Sequence, residues 1–148
     1  MADLFEVLLL DGQTRWHAGW VVDDDTETDL LLREHGQVPV FASRAGLEHH
    51  AQERGLALQD DLPDEVDLDL GGWLMSGAPQ PPTAEVSELW HLLLDDPAAG
   101  RPLTGEAVEE AYDDLVEEEP DWFEVHGPTA QRALADAVRR LRSVLRPA

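Results

Sequence analysis

The hydrophobic residues of this chain change their spacing partway along it. In residues 4–10 and 16–22 they form an apolar run or alternate with other residues, which is typical of β-strands. From residue 83 onward they recur every three or four positions, which is the helical pattern. The order indicates a sheet followed by amphipathic helices, and so an α+β fold.

Turn signals divide the first third into short strands. The turn at residues 11–14 predicts a β-hairpin whose first strand is covered on both faces. A polar break at residues 23–28 and a turn at residues 35–36 precede two further strands. Pro39 has no backbone N–H, so the last of these strands is expected at a sheet edge or a bulge.

A helix is expected to close this meander. Ser43 is a good N-cap and Gly55 a good residue just beyond a helix end. Between them, Leu47 and Ala51 are expected to face inward. We therefore predict an antiparallel sheet of four to five strands packed by one early helix and by three later amphipathic helices.

Residues 58–82 carry acidic pairs, glycines and a Pro-rich run, so they are predicted to be mostly loop with one strand over 66–70. The three later helices are expected to be capped by Thr83, capped by Thr104 and started near Pro128. Their apolar stripes are Val86, Leu89, Trp90 and Leu93; Val108, Ala111, Tyr112, Leu115 and Val116; and Leu134, Ala137, Val138, Leu141 and Leu145.

The length of 148 residues suits a single domain. Its parts would be a β-rich segment at 1–57, a loop-rich segment at 58–82 and a helical segment at 83–148. The hydrophobic content of 43% is more than a disordered acidic tail carries, so we expect a folded core over residues 1–148.

The charge is strongly negative and unevenly distributed. The chain has 32 acidic residues, 10 Arg and no Lys, which gives a net charge of −22. Five of the Arg lie in the last 17 residues, where Asp136 is the only acid, so the preceding residues carry −26. Such a surface repels nucleic acid and anionic membranes and attracts basic proteins. We expect a basic protein partner, no nucleic acid and no membrane.

Several functional classes lack their sequence signature. The chain has no Cys, no phosphate-binding glycine loop and no nucleophile motif, so we predict neither an enzyme nor a cofactor site. No apolar run approaches the roughly 18 residues of a membrane span, and the first residues do not resemble a secretion signal. The expected location is the cytoplasm. The sequence specifies no oligomeric state.

One acidic stretch has the spacing of a cation-binding loop. Its residues resemble those of a calcium-binding EF-hand, but Thr28 stands where the sharp turn needs glycine and a strand leads into it. An acidic turn between strands is the favoured interpretation, with weak cation binding as the alternative. The residues concerned are Asp23, Asp25, Glu27, Asp29 and Glu34.

The early helix offers a second set of metal-ligand types. His and Glu four positions apart supply two ligands, whereas a zinc site needs three or four and the other His are scattered. A polar, exposed helix face explains the pattern, and no metal site is predicted. The residues concerned are Glu48, His49, His50 and Glu53.

The sharpest feature is the predicted helix at residues 105–119. Its outer face contains no basic residue and five like-charged i,i+4 pairs, each of which costs about 0.2–0.5 kcal/mol in an isolated helix. Either this face binds a basic partner, or it is a solvated surface of an acidic or salt-adapted proteome. Its acids are Glu106, Glu109, Glu110, Asp113, Asp114, Glu117 and Glu118, followed by Glu119.

Two adjacent aromatic residues, Trp122 and Phe123, follow this helix among acids. Neighbouring positions rarely both point inward, so one ring could be exposed and anchor a partner. The favoured alternative is that both rings pack over the helix ends, because large aromatic side chains usually find cover.

These patterns lead to three functional hypotheses. The preferred one is an acidic module that binds a basic partner, most concretely an immunity protein or antitoxin that covers the cationic active site of a nuclease-like toxin. The second is a small ligand-binding domain or enzyme with a pocket near residues 58–82. The third is a domain whose charge is only compositional. The predicted partner-binding residues are Glu106, Glu109, Glu110, Asp113, Asp114, Glu117, Glu118, Asp121 and Trp122.

The charge distribution predicts that salt stabilises the fold. Because screening acts over about 8 Å at physiological ionic strength, added NaCl should relieve repulsion among the carboxylates at 105–119. The melting temperature should rise between low and moderate NaCl concentration. A flat or falling trend would show that the carboxylates are already paired.

Overall fold

The predicted α+β architecture is confirmed: five α-helices accompany a five-stranded, mostly antiparallel sheet. The computed structural model describes residues 2–148. Two compact units divide the chain, one comprising the residues up to Val66 with Val144–Ala148 and the other Asp67–Ser143. The strands are β1 (Ala2–Asp11), β2 (Thr14–Asp23), β3 (Thr28–Leu31), β4 (Val38–Val40), β5 (Ala57–Leu58), β6 (Asp64–Asp67) and β7 (Leu145–Pro147).

The hairpin of β1 and β2 is the centre of the main sheet. A two-residue turn joins the strands, with Gly12 at φ 63° and Asp11 opposite Thr14. Residues from both faces of β1 are buried, including Leu8 and Leu9, as the apolar run predicts. The sheet order is β3-β2-β1-β5, and β6 also pairs with β1.

Two strand pairings differ from the predicted meander. β4 does not continue the main sheet but forms a two-stranded parallel sheet with β7, and His17 and Phe41 make a single bridge beside it. β5 pairs with β1 in parallel rather than antiparallel orientation. The prediction of one strand over 66–70 was wrong in its bounds, because β6 ends at Asp67. Leu145 lies in β7, although its helical spacing had suggested that the last helix included it.

The early helix, α1 (Arg44–Glu53), is bounded as predicted. Ser43 Oγ accepts a hydrogen bond from the Gly46 N–H at 3.2 Å, and Gly55 follows the helix with φ 67°. Leu47 and Ala51 are buried with Leu4 in a hydrophobic cluster. Burial of this stripe holds α1 on the sheet.

The second unit contains α2 (Trp73–Ser76), α3 (Thr83–Leu94), α4 (Glu106–Val116) and most of α5 (Trp122–Val144). The predicted caps were wrong: Thr83 is already helical after Pro82, and Gly105 rather than Thr104 precedes α4. The Thr104 hydroxyl instead donates to the carbonyl of Arg101 at 2.7 Å.

The start of α5 was also misplaced. The helix begins at Trp122, and Pro128 lies inside it, where it cannot donate to the carbonyl of Glu124. The predicted stripe of α3 is buried, whereas Val116 at the end of α4 is 59% exposed. Within residues 2–148, no helix has the length and apolarity needed to cross a bilayer.

A tight turn after α3 leads the chain towards α4. Asp96 Oδ1 accepts hydrogen bonds from the N–H groups of Ala98 and Ala99, both at 2.9 Å. The Gly100 N–H donates to the Asp96 carbonyl at 2.8 Å. A Cβ on Gly100 would lie 2.4 Å from the carbonyl oxygen of Leu94, so the backbone approaches too closely for any side chain.

We predict that Gly100→Ala destabilises the protein by about 2–4 kcal/mol, because the new Cβ must displace main-chain atoms. Gly127→Ala is the control, since its Cβ would make ordinary contacts of 3.8 Å within α5. It should stabilise the fold by about 0.5–1 kcal/mol. Urea unfolding measures both changes, and equal stabilities of the two variants would contradict this description of the turn.

Candidate functional site

Trp122 attaches α5 to α4 from within the core of the second unit. Its side chain is 2% exposed, and its indole N–H donates to the Ala111 carbonyl at 2.7 Å. The Trp90 ring lies 6.5 Å from it in a T-shaped arrangement. Trp122 is therefore covered, as the favoured interpretation of the two aromatic residues predicts, and it offers no exposed anchor to a partner. Its ring instead fixes the position of α4.

With Ala111 and Leu115 buried, the opposite side of α4 carries its carboxylates into solvent. We call seven exposed carboxylates the acidic face: Glu106, Glu109, Glu110, Asp113, Glu117, Glu118 and Asp121. In the described part of the chain no ion pair involves any of them. Glu117 and Glu118 also follow the last turn of α4, where the helix dipole disfavours negative charge.

Asp114 differs from the other carboxylates among the predicted site residues because it pairs with a basic side chain. Its Oδ2 lies 2.6 Å from His126 Nε2, and the His126 side chain is 11% exposed. His126 is one helical turn after Trp122, so the two side chains hold α4 from the same side of α5. The sequence prediction missed His126 because it started the last helix near Pro128. Only a helix that begins at Trp122 places His126 one turn after it.

A small cavity adjoins the acidic face at the connection between α4 and α5. Its volume is about 170 Å³, and Asp114, Glu119 and Asp121 line it together with the 67% exposed Val125. Oxygens of Asp114, Glu117 and Glu119 lie within 4.8 Å of one another, so these carboxylates could hold a cation. In residues 2–148 this is the one such group of three or more.

The acidic stretch with EF-hand-like spacing does not converge on one point. The Asp25 N–H donates to Asp23 Oδ1 at 3.0 Å, which is typical of a short turn between strands. Glu34 instead pairs with His50 at 3.0 Å and with Arg54. The stretch therefore forms a local turn rather than a shared ligand shell.

The His and Glu residues of α1 are also divided among separate partners. His49 Nε2 lies 3.1 Å from Glu53 on an exposed face, whereas His50 Nε2 lies 3.0 Å from Glu34. Glu48 accepts a hydrogen bond from Arg44 at 3.1 Å. The four residues form ion pairs rather than a common metal site.

A buried carboxylate in β1 was missed by the sequence prediction. Glu6 Oε2 lies 2.5 Å from His17 Nδ1, and Glu6 Oε1 accepts a hydrogen bond from Arg44 at 3.0 Å. Arg44 also donates to the carbonyl of Gln59 at 3.0 Å. The hydrogen bond from Arg44 to Glu6 raises the pKa of the guanidinium above its usual value, so Arg44 remains charged. The sequence signal for this site is Glu6 itself, the one acidic residue within the apolar run at 4–10.

Two further cavities lie within the separate units. One of about 230 Å³ is lined by residues that include Glu34, His50 and Arg146. The other, of about 250 Å³, lies between α2 and α5 and includes part of the 58–82 segment. Both volumes are below the roughly 300 Å³ at which small-molecule sites usually begin.

By its fold and by the exposed carboxylates of α4, the protein is an α+β protein with one strongly acidic helical face. No protein-family model and no curated protein matches the chain. Among solved structures, the C-terminal domain of SatS, in a structure described as a complex with bromine, has the same fold with a TM-score of 0.57. The match covers 99% of this chain and 94% of that one at 17% identity, so it shows the fold alone.

We predict that Arg44→Met destabilises the protein by about 2–4 kcal/mol, because Glu6 would remain buried with His17 as its partner. Adding Glu6→Leu should recover most of this loss, since both charges are then removed. Arg15→Met is the control: Arg15 pairs with Glu65 at 2.6 Å in an exposed position. Its effect should be at most about 1 kcal/mol. Denaturant unfolding of these variants would contradict the assignment if the double variant were less stable than Arg44→Met.

Proposed function

We propose that the chain is a protein-binding module that recognises a basic partner through the acidic face. The supporting observation is that seven exposed carboxylates lie together on α4 and just after it. None of the seven forms an ion pair with any residue that the structure describes. Local stability would favour basic residues among them. A partner that supplies Lys or Arg would remove this repulsion on binding.

The size of the repulsion supports a role for the partner. The acidic face contains three like-charged i,i+4 pairs, at 106/110, 109/113 and 113/117, which would cost roughly 0.6–1.5 kcal/mol in total on an isolated helix. A basic partner would gain from the local carboxylates and from the field of a protein with a net charge of −22. Such a field accelerates encounter, and the acceleration decreases as salt is added.

The most concrete form of this proposal is an immunity protein or antitoxin in the cytoplasm. Its carboxylates would occupy the positions that nucleic-acid phosphates take at the cationic active site of a nuclease-like toxin. It would act by covering that site rather than by catalysis. We expect no binding to DNA or RNA. Five Arg lie in the last 17 residues, but the preceding residues carry −26 and repel the phosphates.

The alternative of a small ligand-binding domain or enzyme also has one observation in its favour. The cavity between α2 and α5 is lined in part by residues of the 58–82 segment, although that alternative expects its pocket between this segment and the sheet. Its volume of about 250 Å³ is smaller than that of most small-molecule sites, which argues against an enclosed ligand site there. The third hypothesis, a purely compositional charge, predicts no partner for the acidic face.

The test is an affinity pull-down from the native cell followed by binding kinetics at several salt concentrations. We expect a basic partner whose association slows steeply with salt. The combined change Glu109→Lys, Asp113→Lys and Glu117→Lys should lower the on-rate by about tenfold or more. The stability of the free protein should change little, because the i,i+3 pairs 106/109, 110/113 and 114/117 become opposite in charge while the i,i+4 pairs 109/113 and 113/117 become Lys–Lys pairs.

The matched control is Asp24→Lys, Asp61→Lys and Asp64→Lys, which changes the net charge equally at exposed residues outside the acidic face. A partner that is acidic or neutral would contradict the proposal. The same conclusion would follow if the two triple variants had equal on-rates, because only the net charge would then matter.

A further inference from the structure

His17 on β2 has one ring nitrogen held by the protein and the other open to solvent. Its Nδ1 lies 2.5 Å from Oε2 of Glu6, whereas none of the residues 2–148 bonds its Nε2. The side chain is 21% exposed, and Nε2 is not buried. Because an ionised carboxylate only accepts hydrogen bonds, Nδ1 carries the hydrogen and Nε2 of the neutral ring has the lone pair.

Arg44 fixes Glu6 from the other side. The Glu6 side chain is 3% exposed, and its Oε1 accepts a hydrogen bond from Arg44 at 3.0 Å. The same guanidinium donates to the Gln59 carbonyl at 3.0 Å and to Glu48 at 3.1 Å. All three nitrogens of the guanidinium therefore have partners, and this fixed group keeps the carboxylate of Glu6 directed at His17.

Main-chain hydrogen bonds fix the position of His17 as well. Its N–H donates to the Phe41 carbonyl at 2.8 Å, and its carbonyl accepts from the Phe41 N–H at 2.9 Å. In the hairpin, the register places His17 opposite Leu8 of β1. His17 is thus held between two segments while Glu6 holds its ring, and a reactive side chain needs this kind of support.

The buried carboxylate interrupts an apolar strand. Every other residue of the run at 4–10 is apolar. A buried ion pair is often no more stable than apolar residues of the same volume, so stability alone does not favour Glu6 at this position. Local patterns that are broken in this way are typical of functional sites.

A carboxylate on one ring nitrogen and a lone pair on the other are the parts of a general base. The free nitrogen takes a proton from water, and the carboxylate stabilises the imidazolium that forms. The oxygen of this water forms a bond to the carbonyl carbon of an ester or thioester. The bond from that carbon to the leaving oxygen or sulfur then breaks, and the imidazolium returns its proton to the leaving group.

The charges beside His17 limit which substrate can approach. Arg15 lies two residues before His17 on the same face of β2, and Arg44 is joined to His17 through Glu6. These two Arg form ion pairs with four carboxylates, namely Glu6, Glu48, Asp60 and Glu65. The excess of negative charge, in a protein that carries −22, attracts a cationic substrate and repels an anionic one.

We propose that His17, positioned by Glu6, is the general base of a hydrolytic site for small acyl esters or thioesters that carry a positive charge. The sequence analysis predicts no enzyme because a nucleophile motif is absent, but water is the nucleophile here and needs no such motif. The site belongs to the first unit and uses no residue of the acidic face. It is independent of the basic partner proposed above.

The probe is acetylthiocholine, a cationic thioester, added to the full chain at neutral pH. Hydrolysis releases a thiol that a chromogenic disulfide detects, and the protein gives no background because it has no Cys. We expect His17→Gln to lower the protein-catalysed rate by about tenfold or more. The matched control is His49→Gln, which changes a 75% exposed His on α1 and should leave the rate unchanged.

Glu6→Gln tests the positioning role of Glu6, because Gln keeps the shape of the side chain without its charge. It should lower kcat by about tenfold or more with little change in KM, since the imidazolium loses its stabilising carboxylate. A merely structural Glu6 would lower the melting temperature without this split. If Glu6→Gln does not fold, nitrogen-15 NMR shifts of the unaltered His17 ring still test the proposal, because they report which nitrogen carries the hydrogen.

Two further thioesters test the charge preference. Ethyl thioacetate is neutral and acetylmercaptoacetate is anionic, and each rate is divided by the rate with free imidazole. We expect the cationic thioester to be hydrolysed fastest and the anionic one slowest.

The proposal is overturned if His17→Gln retains the original rate, if the anionic thioester is preferred, or if the ring shifts place the hydrogen on Nε2. None of these measurements involves the acidic face, so failure here leaves the proposed basic partner to be tested separately.

Discussion

The contact between Trp122 and the backbone of α4 is the interaction on which the acidic face depends. The buried indole donates to the Ala111 carbonyl, and His126 holds Asp114 one turn further along α5. These two contacts direct the apolar side of α4 inward. The carboxylates on the other side then share one surface, although their mutual repulsion opposes the helix.

Two carboxylates that are buried or half-buried have basic partners. Glu6 is buried and has Arg44 and His17 as partners, and the half-buried Asp114 has His126. The acidic face has no such partners among the described residues, although the chain contains ten Arg. A buried charge without a partner is costly, whereas water stabilises an exposed charge, which also stays accessible to a binding partner.

The sequence predicts the features that depend on local patterns. The hairpin around Gly12, the cap at Ser43 and the acidic side of α4 follow from turn chemistry and periodicity. The pairing of β7 with β4 and the arginine partner of Glu6 join residues far apart in the chain, so no local pattern contains them. Pro128 predicts a helix start because proline is favoured there, whereas the packing of Trp122 extends α5 by six residues towards its N-terminus.

Hydrogen–deuterium exchange of the protein alone and with its captured partner tests the central proposal most directly. If the partner binds the acidic face, amides in residues 105–121 should exchange more slowly in the complex, and the protection should weaken at high salt. The Trp73–Ser76 helix should be unaffected by that partner. Protection confined to other segments, with none in residues 105–121, would contradict the proposal that the acidic face is the binding surface.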